Sequence, residues 1–328
     1  MKIGLIGSGV ITDAFIQASL EVENVECIAI YSRKEETARK IVDKYQVKQI
    51  YTDYQSMLSD ENLNFIYIAS PNNLHYEHAI KALENGKNVI CEKPFTSTVK
   101  EAEKIIALAK SKNLYLFEAI TTIHFPNFQK IKEAIPLLGA MKLVQCNFSQ
   151  YSSRYDRLLT GEVANVFNPA YSAGSLADLN IYNLHFAAGL FGEPGQVRYF
   201  ANMAENGIDT SGIALLKYEG FICECTGAKD SYSPSSIILQ GTKGYIKMNG
   251  PPSECPSFEL GLGNTVKYFN EHTHSNRLVY EIIQFEEMFH LNNYKRCCEL
   301  MDHSLSVVRM AEAARKYAKI LFPADLVE

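Results

Sequence analysis

Gly7 and Gly9 stand in Gly7-Ser8-Gly9-Val10-Ile11-Thr12, directly after the apolar run Lys2 to Ile6 and before a helix-like stretch. A glycine turn between strand and helix suits a pyrophosphate. Gly7 permits the tight turn, Gly9 lets the backbone approach the ligand, and the unpaired N–H groups at the helix start attract the anion. Ser8, Val10 and Ile11 complete the turn, while Thr12 occupies the third glycine position of the dinucleotide fingerprint and leaves it incomplete. The second strand ends in Tyr31-Ser32-Arg33-Lys34 rather than in an Asp or Glu for a ribose 2′-hydroxyl. A hydroxyl followed by two cations suits a 2′-phosphate, because Arg pairs with it bidentately. The same residues also read as solvated charges before a helix. On balance they favour NADP over NAD.

Three more polar clusters follow apolar runs: Ser70-Pro71-Asn72-Asn73-Leu74-His75, Glu92-Lys93-Pro94 and Glu118-Ala119. In an open α/β sheet the ligand lies at the carboxyl ends of the strands, so these loops converge on the crevice that holds Gly7. Taken singly, Asn72 also reads as a helix cap and Pro94 as a turn residue. Further along, Asp178 and Tyr182 are four apart with His185 three beyond, which places all three on one helix face. Such a face is either a reactive ridge or a set of satisfied core hydrogen bonds.

The elements that must carry these residues alternate over the first 120 positions. Strand-like runs at Lys2 to Ile6, Val25 to Tyr31, Gln49 to Tyr51, Phe65 to Ala69, Asn88 to Cys91 and Leu114 to Phe117 are separated by amphipathic stretches such as Ala102, Ile105, Ile106 and Ala109. Strict alternation predicts a doubly wound parallel sheet, an α/β Rossmann domain over 1–120. Residues 121–328 change rhythm. A helix at Phe128 to Ala134 and a strand at Met141 to Ser149 precede an irregular stretch from Tyr151 to Ala173. A helix at Leu176 to Leu190 follows, then six strand-like runs without helices between them, and a helical tail with Leu278, Ile282, Phe285 and Phe289 on one face and a last helix from Leu305 to Leu321. This predicts an α+β domain on a large open, mostly antiparallel sheet.

Composition excludes several classes. Among 328 residues, 47% are hydrophobic and 21% charged, which is ordinary for globular chains. The net charge of -5 gives no bulk attraction to nucleic acid or to an anionic membrane face. No apolar run approaches the ~20 residues of a membrane span, and no signal-peptide pattern opens the chain. The 8 cysteines lie mostly in apolar runs, without Cys-x-x-Cys spacing, as reduced thiols do. Cytoplasmic residence is the expectation. His272-x-His274 lacks a third ligand at metal spacing, so no metal is expected.

Together, Gly7-x-Gly9, Ser70-Pro71-Asn72 with His75, Glu92-Lys93-Pro94, Glu118-Ala119 and Asp178-x-x-x-Tyr182 resemble the glucose-fructose oxidoreductase, inositol dehydrogenase and rhizopine-catabolism (Gfo/Idh/MocA) family. The resemblance implies hydride transfer between NADP or NAD and a carbinol of a sugar, cyclitol, diol or similar polyol, in a cleft between a Rossmann and an open-sheet domain. It implies Lys93 as the catalytic lysine, with Asp178 and Tyr182 as acidic and acid/base partners. The alternative is an NAD(P)-sensing regulator on the same fold, which has no need of this proton-transfer set.

Chemically, an ordinary tyrosine titrates near ~10, and a neighbouring ammonium lowers that value toward use as a base. Departures from the family pattern bear on the substrate. Asn180 and Asn183 replace frequent Gly and Pro, and Thr121 and Ile123 replace an aromatic and an Arg. With no Trp in the chain, this favours a polyhydroxylated substrate over a large flat one. The expected lining combines Lys93, Asp178, Tyr182 and His185 with Arg154, Phe167 and Asn168 of the irregular stretch. The apolar runs Ile213 to Leu216 and Ile237 to Leu239 predict an uncovered sheet face, and the family resemblance implies pairing through it as a homodimer or dimer of dimers.

Overall fold

The structure, a computed structural model, describes residues 1–326, so the last two residues of the expected second domain lie outside the described residues. The chain forms two compact units. The first holds Met1–Ala119 and Asn276–Leu305, and the second holds Ile120–Ser275 and the described residues from Ser306 on. One boundary falls beside residue 120, and a segment of the tail joins the amino-terminal unit.

In the first unit, β1 (Lys2–Ile6), β2 (Glu26–Tyr31), β3 (Gln49–Tyr51), β4 (Phe65–Ile68), β5 (Asn88–Glu92) and β6 (Leu116–Ala119) pair in parallel in the order β3-β2-β1-β4-β5-β6. Every residue of β4 and β5 is buried, which is why their sequences run apolar instead of alternating. The order reverses between β1 and β4, and that switch point opens a crevice at the carboxyl ends of the strands. Helices fill the crossovers. Helix Val99–Lys112 starts on a capping box in which Thr98 Oγ1 accepts from Glu101 N and Glu101 Oε2 accepts from Thr98 N. It buries Ala102, Ile105, Ile106 and Ala109, the predicted face. Tail helix Val279–His290 stacks Phe285 on Phe117 at 4.5 Å and sets Phe289 edge-on to Phe65 at 5.0 Å.

The second unit is built on eight strands: β7 (Met141–Ser149), β8 (Gln196–Met203), β9 (Asp209–Tyr218), β10 (Phe221–Ala228), β11 (Ser236–Gly241), β12 (Gly244–Met248), β13 (Phe258–Leu262) and β14 (Thr265–Phe269). Their order is β14-β13-β12-β11-β7-β10-β9-β8, antiparallel except for the pair β7 and β10. Gly220, at φ 86°, makes the tight β9–β10 turn. Strand β13 was not predicted, because Pro251, Pro252 and Pro256 precede it and Gly261 interrupts it. Gly261 has a packing reason: a Cβ there would lie 2.2 Å from the Tyr245 ring on the neighbouring strand.

Three other expectations are corrected. The stretch from Tyr151 to Ala173 contains a helix at Tyr155–Leu159 and 3-10 turns at Asn165–Phe167 and Pro169–Tyr171. The expected helix from Leu176 begins as a π-helix, Leu176–Asn180, and becomes α-helical only over Ile181–Phe191. The last helix starts at Tyr294, well before Leu305, and runs to Tyr317.

Candidate active site

In the first unit a cleft of about 660 Å³ lies at the β1/β4 switch point, lined by Gly7, Ser8, Ser32, Arg33, Lys34, Ser70 and Pro71 together with Ile6, Tyr31, Thr37, Ala69, Leu74 and His78. Gly7 has φ 100°, and a Cβ on it would sit 2.4 Å from the Ala69 carbonyl oxygen, so only glycine fits between the two loops. Gly9 is extended and caps helix Val10–Ser19. A Cβ on Gly9 would meet nothing within 4 Å, which leaves room for a ligand against the turn. Val10 is 88% exposed there, and Ile11 is half-buried. Ser32 and Thr37 hydroxyls hydrogen-bond to each other, and Thr37 Oγ1 donates to Lys34 O at 2.7 Å. Arg33 and Lys34 are exposed and form no ion pair among the described residues, so both charges remain available to an anion.

His75, expected at the cofactor, holds two loops together. Its buried ring bridges Ser70 O and Pro94 O, each at 2.9 Å, and so ties the loop after β4 to the loop after β5. Sequence reasoning missed His78, one turn further on the same helix. Its Nδ1 lies 2.9 Å from Ser70 Oγ, and burial pulls its pKa down to about 4, so the ring is neutral at pH 7. Asn72 opens a 3-10 turn, Asn72–Leu74.

Glu92 and Glu118 are also buried and act on the loop that carries Lys93. Glu92 Oε1 accepts from Tyr67 OH at 2.7 Å, its Oε2 accepts from Lys93 N at 3.3 Å, and Glu118 Oε1 accepts from Phe95 N at 3.0 Å. Burial raises the Glu92 pKa, against the opposing hydrogen bond from Tyr67 and the nearby charge of Lys93. The two carboxyls thus brace the backbone on either side of the cis Lys93–Pro94 peptide, and Lys93 itself is half-buried.

The second unit positions Asp178 and Tyr182. Asp178 lies in the π-helical turn and Tyr182 in the α-helix that follows, its ring edge against Phe148 at 5.7 Å. The Asp178 side chain is 32% exposed and pairs with Lys229, a residue sequence reasoning missed although it stands directly after β10. Phe167 and His185, expected at the substrate, are fully buried. Asn168 Oδ1 accepts from Ala170 N, capping a 3-10 turn, and Arg154 is exposed. Cys223 and Cys225 are core residues, and Cys146 joins them with the three sulfurs within 4.8 Å of one another.

Residues 1–120 match the model of the oxidoreductase family with an NAD-binding Rossmann fold, and residues 128–247 match that of the GFO/IDH/MocA C-terminal domain. The chain is 32% identical to scyllo-inositol 2-dehydrogenase (NADP(+)) IolU of Bacillus subtilis, over 99% of both chains. It belongs to the Gfo/Idh/MocA family. The trans-1,2-dihydrobenzene-1,2-diol dehydrogenase of Sus scrofa is 25% identical over 99% of both chains. Among solved structures, the 3-ketoreductase KijD10 of Actinomadura kijaniata, complexed with NADP and TDP-benzene, superposes with a TM-score of 0.82. It has 21% identity, and the match covers 96% of this chain and 97% of that one.

Against this Gfo/Idh/MocA frame, the unusual polar residues have structural tasks. Asn180 Nδ2 donates to Cys225 O, and Asn183 Nδ2 donates to Asn180 Oδ1 and Thr226 O, each at 2.8 Å. This ladder pins the π-helical turn to β10, where a Cβ on Gly227 would lie 2.7 Å from Asn180 Cβ. Thr121 is buried and donates to Ser253 O at 3.1 Å, so it fastens a loop and offers no surface to a substrate. No helix among the described residues is long and apolar enough to cross a membrane.

Proposed function

We propose that the chain is an NADP-dependent dehydrogenase or reductase that interconverts a carbinol and a carbonyl on a cyclitol, sugar or similar small polyol. The observation that carries this reading is the switch-point cleft, with an open glycine turn at one side and Ser32, Arg33 and Lys34 at the other. Such a cleft fits a dinucleotide with a 2′-phosphate: Gly7 to Ile11 would hold the pyrophosphate on the helix start, and Arg33 and Lys34 would hold the extra phosphate. Bound there, NADP would supply or receive the hydride.

The protein's own residues handle the rest. Lys93, on its braced loop, holds the reacting oxygen, and Tyr182 Oη carries the carbinol proton. Asp178 accepts a hydrogen bond from a neighbouring substrate hydroxyl. The IolU relative supports a cyclitol as substrate, and NADP as cofactor, by its name. Eight free thiols support residence in a reducing cytoplasm. The exposed apolar face of the second-unit sheet supports a homodimer.

The test uses scyllo-inositol and a panel of cyclitols and sugars with NADP and NAD, followed by nicotinamide absorbance. Lys93→Met is expected to lower turnover by about 10²- to 10⁴-fold while leaving cofactor affinity intact. Near-normal turnover by the variant would remove Lys93 from this role. A wild-type chain that binds cofactor but turns over nothing in the panel would point to the sensing alternative.

A further inference from the structure

Lys229 follows β10, and its side chain is 7% exposed. Burying an ammonium is costly unless it is paired, so its partners are informative. Its backbone is clamped twice: Lys229 N donates to Thr210 O at 2.8 Å, and Lys229 O accepts from Ser152 N at 2.9 Å. The ammonium donates to Asp178 Oδ2 and lies 5.7 Å from the centroid of the fully buried Phe167 ring. One fixed cation therefore joins the π-helical turn, through Asp178, to the stretch before it, through Phe167.

A second carboxylate feels the same charge. Asp209 is fully buried, its Oδ2 accepts from Leu176 N at 2.6 Å and from Tyr199 OH at 2.7 Å, and its pKa is raised by burial to about 6 against the opposing charge of Lys229. Asp209 packs so closely on Gly174 that a Cβ there would lie 2.0 Å from its Oδ1. The π-helical turn is thus held at its start by Asp209 and in its middle by Lys229. A buried ion pair is rarely a better source of stability than apolar packing of the same volume. The half-exposed side of Asp178 gives the charge another use.

We propose that Lys229 is a positioning residue for the reaction, holding the Asp178 carboxylate aimed so that its exposed side accepts from a hydroxyl beside the reacting carbinol. The assignment rests on the proposed role of Asp178 and selects substrates bearing vicinal hydroxyls, as cyclitols do. Lys229 touches neither cofactor nor reacting atoms in this role.

The experiment measures kcat and KM for scyllo-inositol, and NADPH affinity by fluorescence titration, in wild type, Lys229→Met, Lys229→Gln and Lys229→Arg. Lys229→Met and Lys229→Gln are expected to raise KM for scyllo-inositol by about 10- to 100-fold with NADPH affinity unchanged, and Lys229→Arg to recover most of the loss. A purely structural role would lower the active fraction without moving KM and would gain nothing specific from Arg. If Lys229→Met does not fold, Lys229→Gln, which keeps a donor without the charge, decides the matter. Unchanged KM in the folded neutral variants would overturn the proposal alone. Absence of wild-type turnover with scyllo-inositol and the wider panel would overturn the functional reading and this proposal with it.

Discussion

At the scale of single residues, the cofactor end of the cleft turns on two cations without acidic partners. Arg33 and Lys34 sit beside the Ser32–Thr37 hydroxyl pair, and nothing among the described residues neutralises them. A charge-assisted bidentate contact is worth roughly 1.5 to 3 kcal/mol, or about ten- to a hundredfold in affinity. Arg33→Ala is therefore expected to weaken NADPH by about that factor while leaving NADH nearly unchanged, as read by fluorescence titration. Equal losses for both would mean that Arg33 serves the adenine or the fold instead of the 2′-phosphate. The residues that announced this end of the site were legible because each directly follows a strand, where topology leaves few choices. Lys229 also follows a strand, yet a lysine after a strand most often points to solvent. Its meaning depends on Asp178 lying 51 positions earlier in the chain, a pairing that no local pattern encodes.

At the scale of elements, the strand-helix alternation of the first unit could be read because burial on both sheet faces leaves continuous apolar runs. The π-helical turn could not be read, since Leu176–Asn180 has no spacing that separates it from an α-helix. Its stabilising bonds run from Asn180 and Asn183 to β10, far away in sequence. Tail helix Val279–His290 carries a comparable surprise. Its apolar face was predicted, but Glu281 on the same helix is fully buried, and neither carboxyl oxygen has a hydrogen-bond partner among the described residues. Burial raises its pKa well above the usual range, helped by Glu92 and Glu118 and opposed by Arg277. The folded chain therefore favours the protonated carboxyl more than the unfolded chain does, so folding takes up a proton between the ordinary and the raised pKa. Stability falls as pH rises above the unfolded value, by about 1.4 kcal/mol per pH unit until the folded pKa is reached. Glu281→Met, of similar volume, is expected to raise the thermal midpoint by a few degrees at pH 8 and by less at pH 5. A variant that is equally destabilised at both values would show that the carboxyl is paired or charged in the folded chain.

At the scale of the whole molecule, the second-unit sheet leaves one face open. Along β9 the side chains alternate, with Ala214, Leu216 and Tyr218 buried and Ile213 and Leu215 at 40% and 37% exposure. Register extends this stripe across the sheet: Ile213 pairs with Phe200, which is 54% exposed, and Ile222, 49% exposed, pairs with Leu143, 45% exposed. Of the run Ile237 to Leu239, also expected to be uncovered, Ile237 and Leu239 face the core, and alternation leaves only Ile238 on the open side. Charges interrupt the stripe in complementary order, since Leu215 lies between Arg198 and Glu224 on its neighbouring strands. An apolar patch with both signs of charge suits a two-fold contact, in which each Arg198 meets a Glu224 of the second copy. The wild-type chain is expected to show twice its own mass by light scattering at micromolar concentration. Ile222→Lys places a cation opposite Lys217, its cross-strand neighbour, and by symmetry does so twice in one interface. Because Ile222 is half-exposed, the variant should fold as before yet run as a monomer, since desolvating unpaired ammonium groups outweighs the apolar gain. A monomeric wild type, or a lysine variant that stays dimeric, would rule out pairing through this face.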